Sequence, residues 1–303
     1  MDLSSGVEGR RQSRKWTGGA VLNSRSAMGF LFPAGVFIAI FLIIPGIWTL
    51  YLGLTDYRLT GIQAAHPKFV GLENYRTVLT DPAFYNSLKL TIYFVIGAAI
   101  IGQAVLGFVI AWTFSDRPGK LRSFVEVVII MAWIVPSSVV TFLWFAFLNG
   151  QEGTLNAIFH IHTEWLLVHP MLSIIVFDSW RGAAFSVLLF GAAIAAVPKS
   201  HLEVARIAGA SKFRQLVDII IPASRGHIMT NVLLISLWTF NLFTPYLLTG
   251  GGPAGKTEIL PIFVYEKALR YLDFGTGSAI ATIMLLINLA FALIVIKRGR
   301  QRA

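Results

Sequence analysis

Six stretches of about 20 or more mostly apolar residues, near 29–52, 87–114, 124–148, 171–197, 228–248 and 278–296, leave this chain few structures to choose from. Each is long enough to cross a hydrocarbon core about 30 Å thick at a rise of about 1.5 Å per residue. In lipid, only helices and closed barrels satisfy their own backbone hydrogen-bonding groups. These runs lack the alternation of apolar and polar residues that barrel strands need. An all-α, polytopic membrane protein with six transmembrane helices is predicted. Only 13% of the residues are charged, about half the share of a soluble domain.

Lysine and arginine set the orientation, because short cytoplasmic loops carry the excess. Seventeen lie in the N-terminal arm, after spans two and four, and in the tail, against seven on the other side, with Arg181 inside span four. Both termini are therefore predicted cytoplasmic. Residues 1–27 form a cytoplasmic arm, 28–297 the six-helix domain and 298–303 a cytoplasmic tail. The net charge of +10 and the pI near 10.0 reflect this topology, and nucleic acid is not expected as a partner. The first apolar run is too long for a cleaved signal peptide, whose apolar core has about 7–15 residues, so it reads as an uncleaved anchor. The chain has no cysteine, which removes disulfides, thiolate metal sites and cysteine nucleophiles.

The loop 198–225 between spans four and five carries the most information. Pro198 and Ser200 suit a helix start, with Glu203 three residues after Ser200 as a capping box. Gly209 interrupts the helical pattern where two short helices can turn. Phe213, Leu216, Val217 and Ile220 then recur at helical spacing, and Pro222 marks re-entry toward the membrane. Periodicity alone fits an ordinary interfacial amphipathic loop equally well.

The order Glu203, Ala205, Gly209, Ile219, Pro222 resembles the E-A-A-x-x-x-G-x9-I-x-L-P signature of permease subunits in bacterial ABC importers. Val204 and Ile221 depart from it mildly. Gly71-Leu-Glu-Asn-Tyr75, Leu248-Thr-Gly-Gly-Gly-Pro253 and Asp178-Ser-Trp-Arg181 resemble further elements of carbohydrate-uptake permeases, so the likeness covers roughly residues 28–296. It implies the type I ABC importer permease fold in a bacterial inner membrane. Glu203, Ala205, Gly209, Ala210 and Ser211 would form the coupling element that docks on an ATP-binding subunit. The implied partners are a second homologous permease, two ATP-binding subunits that hold ATP and Mg, and an external substrate-binding protein. The solute would be a sugar or a related oligosaccharide, polyol or glycerol-phosphate compound.

For the translocation path, Arg181 stands out, because ionisable groups at membrane depth usually face a bundle interior or wet cavity. An Asp178–Arg181 pair serving packing is the competing reading. Trp238, Asn241 and Thr244 in span five, and Asn288 in span six, combine an aromatic face with fixed polar groups, as sugar sites do. Aromatic stripes and interhelical Asn contacts also serve packing. Gly97, Gly102 and Gly107 read as sites of close helix approach, and Pro136 as a kink.

Two patterns are weaker. Gly250–Thr257 satisfies the phosphate-loop pattern G-x-x-x-x-G-K-[ST], but that mechanism needs a strand before it, whereas here a membrane helix precedes it. His160, His162, Glu164 and His169 cluster in one loop without any metal-ligand spacing, so no metal is expected. No catalytic constellation appears, and ATP hydrolysis is expected in a separate subunit. A secondary transporter or channel acting without an ATPase is the alternative, although the inverted repeats and paired mid-membrane charges it favours are not seen. A membrane enzyme is a third.

Overall fold

The computed structural model describes residues 24–115 and 119–300. The sequence-based arm lies largely outside them, as do Arg117 and the last residues of the tail. The chain divides into two compact units, one ending at Trp48 and the other beginning at Thr49. Among the described residues five helices are long and apolar enough to cross a membrane, and a sixth crossing is reached if one bent pair counts as a span.

The first crossing, α1 (Met28–Leu52), contains a π-helical turn at Ala39–Ile43. After it come two short helices, α2 (Ile62–Ala65) and α3 (Glu73–Thr80). Asn74 explains part of the Gly71–Tyr75 element: its Nδ2 donates to the Gly53 carbonyl at 3.0 Å and the Thr55 carbonyl at 2.7 Å. Helix α4 (Pro82–Ser115) starts earlier than apolarity alone indicates. Asp81 caps it by accepting from the Ala83 amide at 2.9 Å, and Pro82 occupies the first helical position, where its missing N–H costs nothing.

The third crossing is broken. Helices α5 (Lys120–Ile134) and α6 (Ser137–Phe147) meet at an angle of 103°. Pro136 removes an amide donor and disfavours helical geometry at Val135, so the expected kink is a full break. Short helices α7 (Thr154–Phe159) and α8 (Trp165–Val168) lead into α9 (Pro170–Ala195). Among the described residues no three His, Asp or Glu side chains converge as a metal site would require.

Beyond α9, helix α10 (Lys199–Ile207) opens the 198–225 loop. Helix α11 runs unbroken from Lys212 to Phe240. The second amphipathic stretch is thus the first turns of a long helix, which continues through Pro222. The π-helical turn Leu216–Ile220 just before Pro222 shifts the carbonyl ladder where a proline would otherwise clash. Helix α11 ends at Phe240, so Asn241 and Thr244 lie beyond it, before α12 (Pro245–Thr249). Helix α13 (Leu260–Tyr265) precedes the last crossing, α14 (Phe274–Arg300).

Helix α9 packs along α4, α5 and α11 and is the spine of the second unit. Its buried Phe190 and Ile194 join Leu216, Ile220 and Ile235 of α11 in one core cluster. Close approach to α4 depends on glycines. A Cβ at Gly102 would lie 1.8 Å from the Ser179 hydroxyl, and one at Gly107 would lie 2.3 Å from Ser186 Cβ. Residues five apart do not share a face of an α-helix, but Val95–Ala104 is π-helical, and its i→i+5 turn stacks Gly97 over Gly102.

The glycine-rich segment after α12 folds on itself. Helix α12, not a strand, precedes it, and Thr257 donates to the Gly252 carbonyl at 2.9 Å while bonding Thr249 at 2.7 Å. The hydroxyl that a phosphate loop would turn to a metal is committed to the turn. Glu258 at its end is half-buried, and that burial, helped by the Glu266 carboxylate and opposed by Lys267, raises its pKa above the ordinary 4.5. A carboxyl with a raised native pKa stabilises the fold fully below its unfolded value and loses that contribution as pH rises through the native one. The melting temperature should therefore fall as pH climbs from 4.5 through the native value, and Glu258→Gln should flatten that slope. Equal slopes in both proteins would contradict the assignment.

Candidate functional site

Two places carry functional geometry. The first is the turn between α10 and α11. Gly209 has φ +79, a conformation open to glycine but strained for side-chain-bearing residues. The Gly209 amide donates to the Arg206 carbonyl at 3.0 Å and the Ala210 amide to the Ala205 carbonyl at 2.9 Å. This pair of bonds is the Schellman stop of a helix. Ser211 then caps the next helix, its Oγ accepting from the Arg214 amide at 3.2 Å. Gln215 Nε2 closes the turn by donating to the Ala210 carbonyl at 2.8 Å. The expected capping box is not formed: the N-cap is Pro198, which places Ser200 and Glu203 inside α10 with no side-chain cap.

The knuckle has two faces. Leu202 packs on the Phe190–Ile194–Leu216 core, and Ala205 is half-buried. Glu203 is exposed, as are Val204 at 66%, Phe213 at 69% and Ile207 at 88%. A rigid turn thus rests on the core and holds three apolar side chains outward around a carboxylate.

The second place is a cavity of about 30 Å³ among α4, α5, α9 and α11, lined by Gln103, Trp133, Asp178, Arg181, Phe185 and Trp238, among others. In place of the competing reading, an Asp178–Arg181 pair, the Asp178 carboxylate sits in a hydrogen-bond network. Gln103 Nε2 donates to Asp178 Oδ2 at 2.8 Å and contacts Thr239 Oγ1 at 3.1 Å, and Thr239 donates to the same carboxylate oxygen at 3.2 Å. Three helices are tied by one buried carboxylate. Arg181 has no such ties: its Nε is buried without a hydrogen-bond partner, and no ion pair joins it to Asp178. Trp133, Phe185 and Trp238 stand beside it with ring centroids 5.9 to 6.3 Å apart. A guanidinium with spare donors beside aromatic faces can bind an oxygen-rich or anionic solute while stacking its apolar ring face.

Of the residues singled out for the path, Arg181 and Trp238 share this cavity. Asn241 and Asn288 do not line it; Asn288 Nδ2 donates to Asn241 Oδ1 at 3.0 Å, an interhelical tie. Thr244 sits apart, at the start of α12. Sequence reasoning missed Gln103, Thr239, Trp133 and Phe185. Only Gln103 had left a signal, a lone amide in an apolar run beside Gly102.

A family model described as binding-protein-dependent transport system inner membrane component matches residues 103–296. The probable ABC transporter permease protein YurN of Bacillus subtilis is 30% identical over 88% of this chain and 94% of its own length. The sulfoquinovosyl glycerol transport system permease protein SmoG of Agrobacterium fabrum is 26% identical over 96% of both chains. A chain of the bacterial alginate ABC transporter, solved in complex with an alginate pentasaccharide-bound periplasmic protein, superposes with a TM-score of 0.77 at 17% identity, covering 92% of this chain and 95% of that one. This likeness assigns the fold, that of an ABC importer permease. A match over most of the chain, with a relative this similar along nearly its whole length, shows that the protein belongs to the binding-protein-dependent transport system inner membrane components, the permease subunits of ABC importers.

Proposed function

We propose that this permease forms half of the translocation path of an ATP-driven importer for a sugar or related solute, and that the Glu203–Ser211 knuckle is its coupling element. It pairs with a second homologous permease and two ATP-binding subunits, which hold ATP and Mg, and an external binding protein delivers the solute. Both termini and the knuckle face the cytoplasm. One observation carries the coupling role: Val204, Ile207 and Phe213 stand exposed on a turn too tightly bonded to fold them away. Such a face suits a socket in a motor subunit. Leu202 beneath it presses on the core shared by α9 and α11, so displacement of the knuckle moves the two helices that carry Arg181 and Trp238. Coupling of this sort needs an element that both ends can bias, and α9 and α11 reach both.

The cavity is the proposed solute contact, with Arg181 donating to solute oxygens and Trp238 supplying a stacking face. SmoG bears the name of a sulfonated sugar's transporter and the alginate importer carries an acidic polysaccharide, which supports an anionic sugar derivative opposite Arg181. The test is import into proteoliposomes holding the whole complex. Loss of charged hydrogen bonds worth roughly 1.5–3 kcal/mol predicts that Arg181→Gln lowers import of an acidic sugar by about tenfold to a hundredfold, with assembly and basal ATPase activity kept. Unchanged import of acidic and neutral sugars alike would remove Arg181 from the path.

A further inference from the structure

A larger cleft adjoins the knuckle, where Lys199, Leu202, Lys212 and Gln215 line it. It has a volume of about 550 Å³ and is walled by apolar side chains of α4, α5 and α9, such as Ile129 and Leu188, with Trp112 near one end. That end is formed where α4, α5, α9 and the knuckle helices meet, and it carries Arg122, Lys199 and Lys212. Among the described residues lining the cleft the one carboxylate is Glu126, whose Oε1 accepts from Arg122 Nε at 2.7 Å.

A pocket that is basic at one end and apolar along its length is complementary to an amphiphile with an anionic head. Its basic end falls at the termini of the spans, where headgroups lie, and its apolar length falls beside the hydrocarbon. A tryptophan near the boundary is the usual interfacial anchor. The volume exceeds what a headgroup alone needs, and apolar walls give a free phosphate nothing to bury. Gly191 opens the wall further: it lines the cleft, and a Cβ built there meets no atom within 4 Å.

We propose that this cleft binds an anionic phospholipid of the leaflet facing the knuckle, the phosphate held by Arg122 and Lys199 and an acyl chain laid along α5 and α9. The leaflet assignment rests on the orientation proposed above; the lipid site itself rests on the cleft. Because Lys199 and Lys212 begin the two helices that flank the coupling turn, an occupied cleft braces the knuckle from its membrane side.

The test is native mass spectrometry of the delipidated full importer titrated with phosphatidylglycerol, with phosphatidylcholine and with glycerol phosphate. Phosphatidylglycerol should be retained in preference to phosphatidylcholine, and glycerol phosphate should not compete. At roughly fivefold per interfacial charge, Arg122→Gln with Lys199→Gln should weaken phosphatidylglycerol binding about thirtyfold. Gly191→Leu keeps every charge, favours the helix and fills the cleft, so it should displace lipid as well. Equal retention of the two lipids, competition by glycerol phosphate, or selectivity untouched by both variants would each overturn the site. Retention of the ATP-binding subunits in the same spectra reports separately on the permease reading, so the two can fail independently.

Discussion

Replacing Glu203 by lysine is expected to strip the ATP-binding subunits from the complex while leaving the permease folded. The carboxylate is exposed, so charge reversal costs the fold little. At an interface, truncating one member of a buried charge pair costs about 2–5 kcal/mol, and reversing its sign costs more. Import should fall below detection, and co-purification should return the permease without its motor. Gly209 tests the same knuckle by another route. Nothing lies within 4 Å of a Cβ placed there, yet its φ is +79, so a substitution hurts through backbone strain of roughly 1–2 kcal/mol rather than through a clash. Gly209→Val should loosen the turn and weaken coupling, visible as faster amide exchange over residues 205–211, whereas Gly209→Asn, which tolerates this conformation, should retain most activity. Full import by the Glu203→Lys complex, or equal behaviour of the two Gly209 variants, would count against the knuckle as coupling element.

The crossings and the knuckle were legible in the sequence because their causes are local. A bilayer demands a fixed apolar length, and a helix stop at Gly209 needs only the residues around it. The break at Val135–Pro136 was half legible. Proline dictates a disturbance, but an angle of 103° is set by what α6 packs against, which no local pattern reports. Pro222, by contrast, leaves its helix unbroken, since a π-turn just before it absorbs its missing donor. Within the Arg181 cavity, Arg181 and Trp238 were visible as a charge and an aromatic ring in an apolar run. Gln103 and Thr239 become meaningful only when three helices bring them to one carboxylate, and Asn241 and Asn288 only when they find each other. Residues that act through a tertiary partner leave a weak trace in one dimension.

That network depends on helices α4 and α9 touching, which makes Gly102 a sensitive position in the bundle. A Cβ there would lie 1.8 Å from Ser179 Oγ and 2.5 Å from Ser179 Cβ, on a helix whose next residue, Gln103, must reach Asp178. Overpacking costs about 1–3 kcal/mol and sometimes more. Prising Gln103 from its partners adds about 1–3 kcal/mol for buried polar groups left unsatisfied. Against a total stability of roughly 5–15 kcal/mol, Gly102→Leu should prevent accumulation of folded permease, and Gly102→Ala should lower its melting temperature. Gly226, whose Cβ site is open, should accept leucine with little change. The decisive comparison is a swap. With Ser179 also changed to glycine, the nearest remaining atom to a Cβ at position 102 is the Gly97 carbonyl oxygen at 3.2 Å, so Gly102→Ala with Ser179→Gly should recover most of the stability that Gly102→Ala alone loses. If the double variant melts no higher than the single one, the contact between these two helices is not what the glycine protects, and the three-helix network must be held together by something other than their close approach.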